Sequence, residues 1–181
     1  MKKLLVMMLM AMSLAAIAPA ITASPAFAAQ TRCTVGSMGS PYWWGNKNAR
    51  EVAGGTHVLA IRLPAGIGKD AFLWTFSGNE NQKWVHKCVG YDSATGRNIW
   101  ELRYAPNTTL CLTAVGTSPQ EVLYLCEGET SQRWERVESA GYIALRNVGT
   151  GRCLQPTSGG TADGTAIRDE TCTYSAAQMW Y

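Results

Sequence analysis

Beyond residue 28 the apolar positions come in short runs, and none keeps a helical period for three turns. "HVLA" (57–60), "FLW" (72–74) and "VLYLC" (122–126) are rich in β-branched and aromatic residues. Clusters of turn formers break them up: "AGG", "PAGIGKD", "APN" and "SGGTADG". Runs of that length between such breaks predict an all-β chain with many turns.

The start of the chain has a different pattern. Lys2 and Lys3 precede "LLVMMLMAMSLAAI" (Leu4 to Ile17), apolar apart from Ser13, and "SPAFA" then supplies Ala26 and Ala28. A charged start, a short apolar run and small residues before a cleavage point predict a secretory signal peptide over residues 1–28. Read as a membrane anchor, the same run is short for a bilayer and lacks a stop-transfer pattern. The alanine- and methionine-rich style of the leader points to a bacterial exporter. Removing 28 of the 181 residues leaves 153, starting at Ala29, enough for one domain with its own core. No membrane insertion is expected of that mature chain.

A second regularity lies in the glutamines. "NQKW", "SQRW" and "AQMW" place Gln82, Gln132 and Gln178 two residues before Trp84, Trp134 and Trp180. Three of the six glutamines have this setting, at intervals of 50 and 46 residues, which marks an internal repeat. The two later copies share more. "LRYAPNTTLCL" with "VLYLCEGETSQRW" matches "LRNVGTGRCL" with "TAIRDETCTYSAAQMW". Cys126 and Cys172 each stand six residues before their glutamine. The first copy, "FLWTFSGNENQKW", has Phe76 at the second cysteine position and Val58 near the first, so apolar packing is expected to replace a bridge there.

Six cysteines in an exported chain predict disulfides, with fifteen possible connectivities. The repeat suggests Cys111–Cys126 and Cys153–Cys172, which leaves Cys33–Cys88. A zinc site is the competing use, but no CxxC pair occurs and His57 and His86 are the only histidines. No metal or cofactor is expected. Without Lys2 and Lys3 the 16 basic residues become 14 against 13 acidic, a net charge of +1 that gives no basic patch for nucleic acid. No GxSxG, HExxH or phosphate loop is present, so no enzyme is expected.

With Cys-Leu, the second cysteine and Gln-x-Trp repeated, the chain resembles the ricin B-type lectin domain over roughly Tyr42 to Tyr181. The resemblance implies a β-trefoil, three pseudo-equivalent lobes of about four strands each. Their expected spans are 42–90, 91–138 and 139–181, after an N-terminal segment at 29–41. It gives the three Gln-x-Trp pairs a structural role. It also implies a sugar site in each lobe, made by an Asp just after Cys-Leu, an aromatic two residues before the second cysteine, and an Asn before the glutamine. The first lobe offers Trp74 and Asn81, with Ala60 at the Asp position and Asp70 as a substitute carboxylate. The second keeps Tyr124, with Thr113 and Ser131 for the other two groups. The third has Gln155, Glu170 and Ala177, and its Asp163 reads as a turn residue. The expected function is weak glycan binding, mainly by the first lobe. The alternative is a trefoil that binds a protein partner, as a toxin's delivery subunit or an inhibitor does. "SPYWWGN" (40–46) stands apart, and alternation there would bury one tryptophan and expose its neighbour.

Overall fold

A computed structural model describes residues 30–116 and 120–181; the expected signal peptide lies outside the described residues. Ten strands run in chain order: β1 His57–Ile61, β2 Ala71–Thr75, β3 Trp84–Asp92, β4 Arg97–Tyr104, β5 Leu110–Thr113, β6 Val122–Leu125, β7 Trp134–Ser139, β8 Tyr142–Asn147, β9 Cys153–Pro156 and β10 Ile167–Glu170. Among the described residues there is one α-helix, α1, Lys47–Ala53, capped by the Asn46 side chain accepting from the Ala49 amide. Gly54 ends it in the left-handed conformation that favours glycine.

Eight strands form one curled sheet in the order β10, β9, β8, β7, β4, β5, β6, with β3 paired to β4; β1 and β2 form a separate hairpin. Three short antiparallel hairpins, β1–β2, β5–β6 and β9–β10, occur at equivalent places. Each is followed by one turn of 3-10 helix ending on the motif glutamine, residues 80–82, 130–132 and 176–178. The hairpins meet near a pseudo-threefold axis, where the Ala71 amide donates to the Glu121 carbonyl and the Glu121 amide to the Ile167 carbonyl. β3–β4 and β7–β8 supply two walls. The two chain ends complete the barrel: Gly45 and Tyr181 exchange backbone hydrogen bonds, and Ile143 bridges Trp180.

The Gln-x-Trp positions build three matching corners. Trp84, Trp134 and Trp180 are fully buried, and their ring N–H groups donate to the carbonyls of Leu59, Leu112 and Leu154 at 3.0, 3.2 and 3.1 Å. Each glutamine's Nε2 donates to a strand-end carbonyl, of Thr75, Leu125 or Thr171. Its Oε1 accepts the amides of Ser77, of Glu127 and Gly128, or of Thr173 and Tyr174. A buried amide must be satisfied at both ends, and these are. Trp44 joins the same core with the inward leucines of the strands.

Three disulfides are formed, Cys33–Cys88, Cys111–Cys126 and Cys153–Cys172. The first holds the N-terminal segment along β3, where Met38 bridges Lys87 and Tyr42 bridges Trp84. Gly39 lies flat on the His86 ring, and a Cβ there would fall 2.3 Å from it. Burial, and then the charge of Arg136, lower the pKa of His86 beneath this strap.

Strand register sets Ala71, Glu121 and Ile167 at one equivalent core-facing position, and Leu73, Leu123 and Asp169 at the next. Two of the six are acidic, and both are buried. The Glu121 carboxyl is pushed up to about 9, first by burial and then by the neighbouring Asp169 charge. Asp169 in turn accepts from the Thr150 hydroxyl.

Candidate functional site

The outer face of β1–β2 carries the first-lobe residues. Register pairs Trp74 with Val58 and Phe72 with Ala60, so Phe72 and Trp74 project on the same side. Trp74 is 44% exposed. Phe72 is buried beside it with the rings edge to face, 5.6 Å between centroids. The large ring therefore stands at the surface, steadied on one side by a second aromatic.

The other two groups are placed differently. Asn81, half-buried, uses its Nδ2 to donate to the Ile61 carbonyl at 2.9 Å, which fastens the 3-10 turn to the end of β1. Asp70 lies at the far end of the hairpin, its carboxylate 3.5 Å from Arg62 Nε. It is four residues from Trp74 along extended backbone, about 13 Å, with Phe72 between them. Asp70 and Trp74 are thus on one face but not in one contact. Position 60 holds an alanine, and no carboxylate stands there.

Asp163 has a role that turn chemistry does not explain. It reaches from the third lobe to the first, accepting from the Thr75 hydroxyl at 3.0 Å and lying 3.6 Å from His57 Nε2. That contact depends on how the lobes pack, and nothing local in the sequence signals it.

In the second lobe Tyr124 occupies the position of Trp74 and is also 44% exposed. Thr113 is buried in the corner, where its hydroxyl donates to the Cys111 carbonyl and accepts from Gln132 Nε2. In the third lobe Gln155, Glu170 and Ala177 line a hollow of about 400 Å³ together with Ser158 and Thr173. Glu170 is ion-paired with Arg168 and with Arg152 Nη2 at 3.6 Å, so this hollow is polar and has no stacking ring among its lining residues.

Sequence pattern left one part of the surface unassigned. Trp43 and Phe76 are each 40% exposed and meet edge to face, 4.8 Å between centroids. They form the wall of a second hollow, which Val58, the cross-strand partner of Trp74, also lines. Elsewhere, Glu101 groups with Cys111 and Cys126, but those sulfurs form a disulfide and the carboxylate is ion-paired with Arg103 at 2.6 Å.

The chain belongs to the ricin-type beta-trefoil lectin domain-like family, whose model matches residues 80–170 and, overlapping, 130–181. Solved structures agree on the fold. A mosquitocidal holotoxin is 24% identical with a TM-score of 0.64, over 78% of this chain and 16% of that one. ThreeFoil, a designed threefold-symmetric protein, is 19% identical with a TM-score of 0.63, over 77% of this chain and 95% of that one. The hemolytic lectin CEL-III is 16% identical with a TM-score of 0.60, over 80% of this chain and 30% of that one. This chain therefore spans only a small part of the holotoxin and of CEL-III. At these identities the likeness is one of fold. No curated protein sequence matches the chain.

Proposed function

We propose that the protein is a secreted carbohydrate-binding trefoil that binds glycans weakly, chiefly through its first lobe, and is not an enzyme. The exposure of the Trp74 ring carries this reading. A pyranose presents an apolar C–H face with hydroxyls at its edge, and an exposed indole on a rigid hairpin suits that face. Trp74 is the stacking platform and Tyr124 a second, weaker one in the next lobe. Asn81 lends the free side of its amide to the sugar edge, and Asp70 acts only on a ligand long enough to reach it. Weak affinity follows from the alanine at position 60, because a lost charge-assisted hydrogen bond is worth roughly 1.5–3 kcal/mol. The lobes are taken as 42–90, 91–138 and 139–181, and residues 1–28 as the leader. Three disulfides fit an oxidising compartment.

The alternative is a trefoil whose exposed aromatics meet a protein partner. The acidic residue absent from all three lobe positions, 60, 113 and 155, favours that reading, and the likeness to a holotoxin is in keeping with it. The oxidised chain from Ala29 onward on a broad glycan array, beside its Trp74→Ala variant, separates the two. Glycan signal lost in the variant is the expected result. A folded sample that binds no glycan class at concentrations suited to weak binding would move the assignment to a protein partner.

A further inference from the structure

We infer that the hollow walled by Trp43 and Phe76 is a second stacking subsite, for another unit of a neutral oligosaccharide whose neighbouring unit lies on Trp74. This rests on the carbohydrate reading above and gives that site its ligand class. The hollow measures about 380 Å³ and is lined by Trp43, Gly45, Thr56, Val58, Phe76 and Tyr181. That volume is in the range of small-ligand sites.

The hollow exists because the first hairpin lacks its bridge. Val58 and Phe76 occupy the positions of Cys111 and Cys126, since the Phe76 and Cys126 amides donate to Thr56 and Thr109 at the same step of their ladders. In the second lobe a disulfide draws the strand ends together and fills that space. In the first lobe Val58 is buried as a floor, while Phe76 turns outward to Trp43. On the other side Tyr181 lies against Gly45, where a Cβ would meet the ring at 2.5 Å, so only glycine leaves this wall in place.

Two features select the ligand. None of the lining side chains is charged, the nearby Arg50 being engaged over the Tyr181 ring, while Thr56 brings a hydroxyl to aromatic and aliphatic walls, which suits a neutral sugar ring. The strand register also sets the hollow next to the Trp74 platform. Val58 is the cross-strand partner of Trp74, a pair whose Cβ atoms lie about 5 Å apart. Phe76 follows Trp74 by two residues on the same face, about 7 Å along the strand. The two platforms therefore stand side by side, and a linear ligand of two or more units covers both.

The test is calorimetric or fluorescence titration of the oxidised chain with neutral hexose oligomers of one to four units, in gluco, galacto and manno series. Affinity is expected to rise with length. Trp43→Ala and Phe76→Ala should each cost about tenfold for the longer oligomers and leave the single sugar unchanged. The double variant Val58→Cys/Phe76→Cys, which places the bridge of the other lobes here, should abolish the length dependence. Both wall residues are exposed, so folding is checked by near-UV circular dichroism and not assumed. Length-independent binding that still needs Trp74 would overturn the subsite and leave the lectin reading standing. Binding by none of the oligomers would overturn the subsite, and the lectin reading then stands or falls on the broad glycan array. Length-dependent binding lost in Trp43→Ala but kept in Trp74→Ala would retain the hollow and overturn the first-lobe site as described.

Discussion

In β5–β6 a disulfide joins Cys111 to Cys126 beside the exposed Tyr124; in β1–β2 the same two positions hold Val58 and Phe76 beside the exposed Trp74. Both hairpins keep the same register, the same glutamine corner and the same buried indole. The corner is therefore what fixes the lobe, and the bridge is an addition to it. Where the bridge is missing, the strand ends are free to carry large side chains outward. The second lobe has a cross-link and one exposed ring, Tyr124. The first has no cross-link and exposes three, Trp43, Phe76 and Trp74. Cross-link and exposed aromatic surface are thus divided between equivalent positions.

The strongest way to break that comparison is to remove the corners themselves. Trp84→Ala and Trp134→Ala should each cost about 3–5 kcal/mol, as large aromatic-to-alanine changes in a core do, measured by denaturant unfolding. Costs that differ by more than about 2 kcal/mol would mean that the two lobes are not held alike. Next is the bridge. The double variant Cys111→Ala/Cys126→Ala should lose about 3 kcal/mol, since a 15-residue span is closed in the unfolded chain. Phe76→Ala, at the equivalent but exposed position, should lose only about 0.5 kcal/mol. Equal losses would show Phe76 to be a core residue after all.

A subtler contrast concerns Ala71 and its counterpart Glu121. Unfolded, Glu121 ionises near the ordinary 4.5; folded, it holds its proton to about 9. The folded state thus binds more protons in between, so this group's contribution is complete below pH 4.5 and drains away as pH rises toward 9. Glu121→Gln should remove that drain and gain on the parent, on the order of 2 kcal/mol by pH 8–9, in unfolding titrations across the range. Parallel profiles would show that Glu121 does not hold its proton in the folded state.

Much of this was legible before any coordinates. Three Gln-x-Trp pairs at near-equal spacing, with matched cysteines in two copies, carried the trefoil, because the residues that fix a corner lie within a short stretch of chain. The position of Trp74, two residues before a ladder end, was legible for the same reason. The site around it was less so. That Asn81 spends one amide donor on Ile61, that Asp70 faces Arg62 and is parted from Trp74 by Phe72, and that Asp163 crosses to Thr75 all depend on side-chain partners distant in the chain. The "YWW" run announced one buried and one exposed tryptophan, but not which, nor that the exposed one would stand against Phe76.

The sequence by itself determined the repeated unit: short strands, polar turns, a glutamine to satisfy strand-end backbone and a tryptophan to fill the centre. Those are local requirements, and residues close in the chain meet them. Only the tertiary structure decided how the units differ at their seams. There Glu121 finds Asp169 and Trp43 finds Phe76, through packing of segments that are distant in the chain and have no pattern in common. Burial and ring contact are properties of that packing, and the order of residues along one strand cannot carry them.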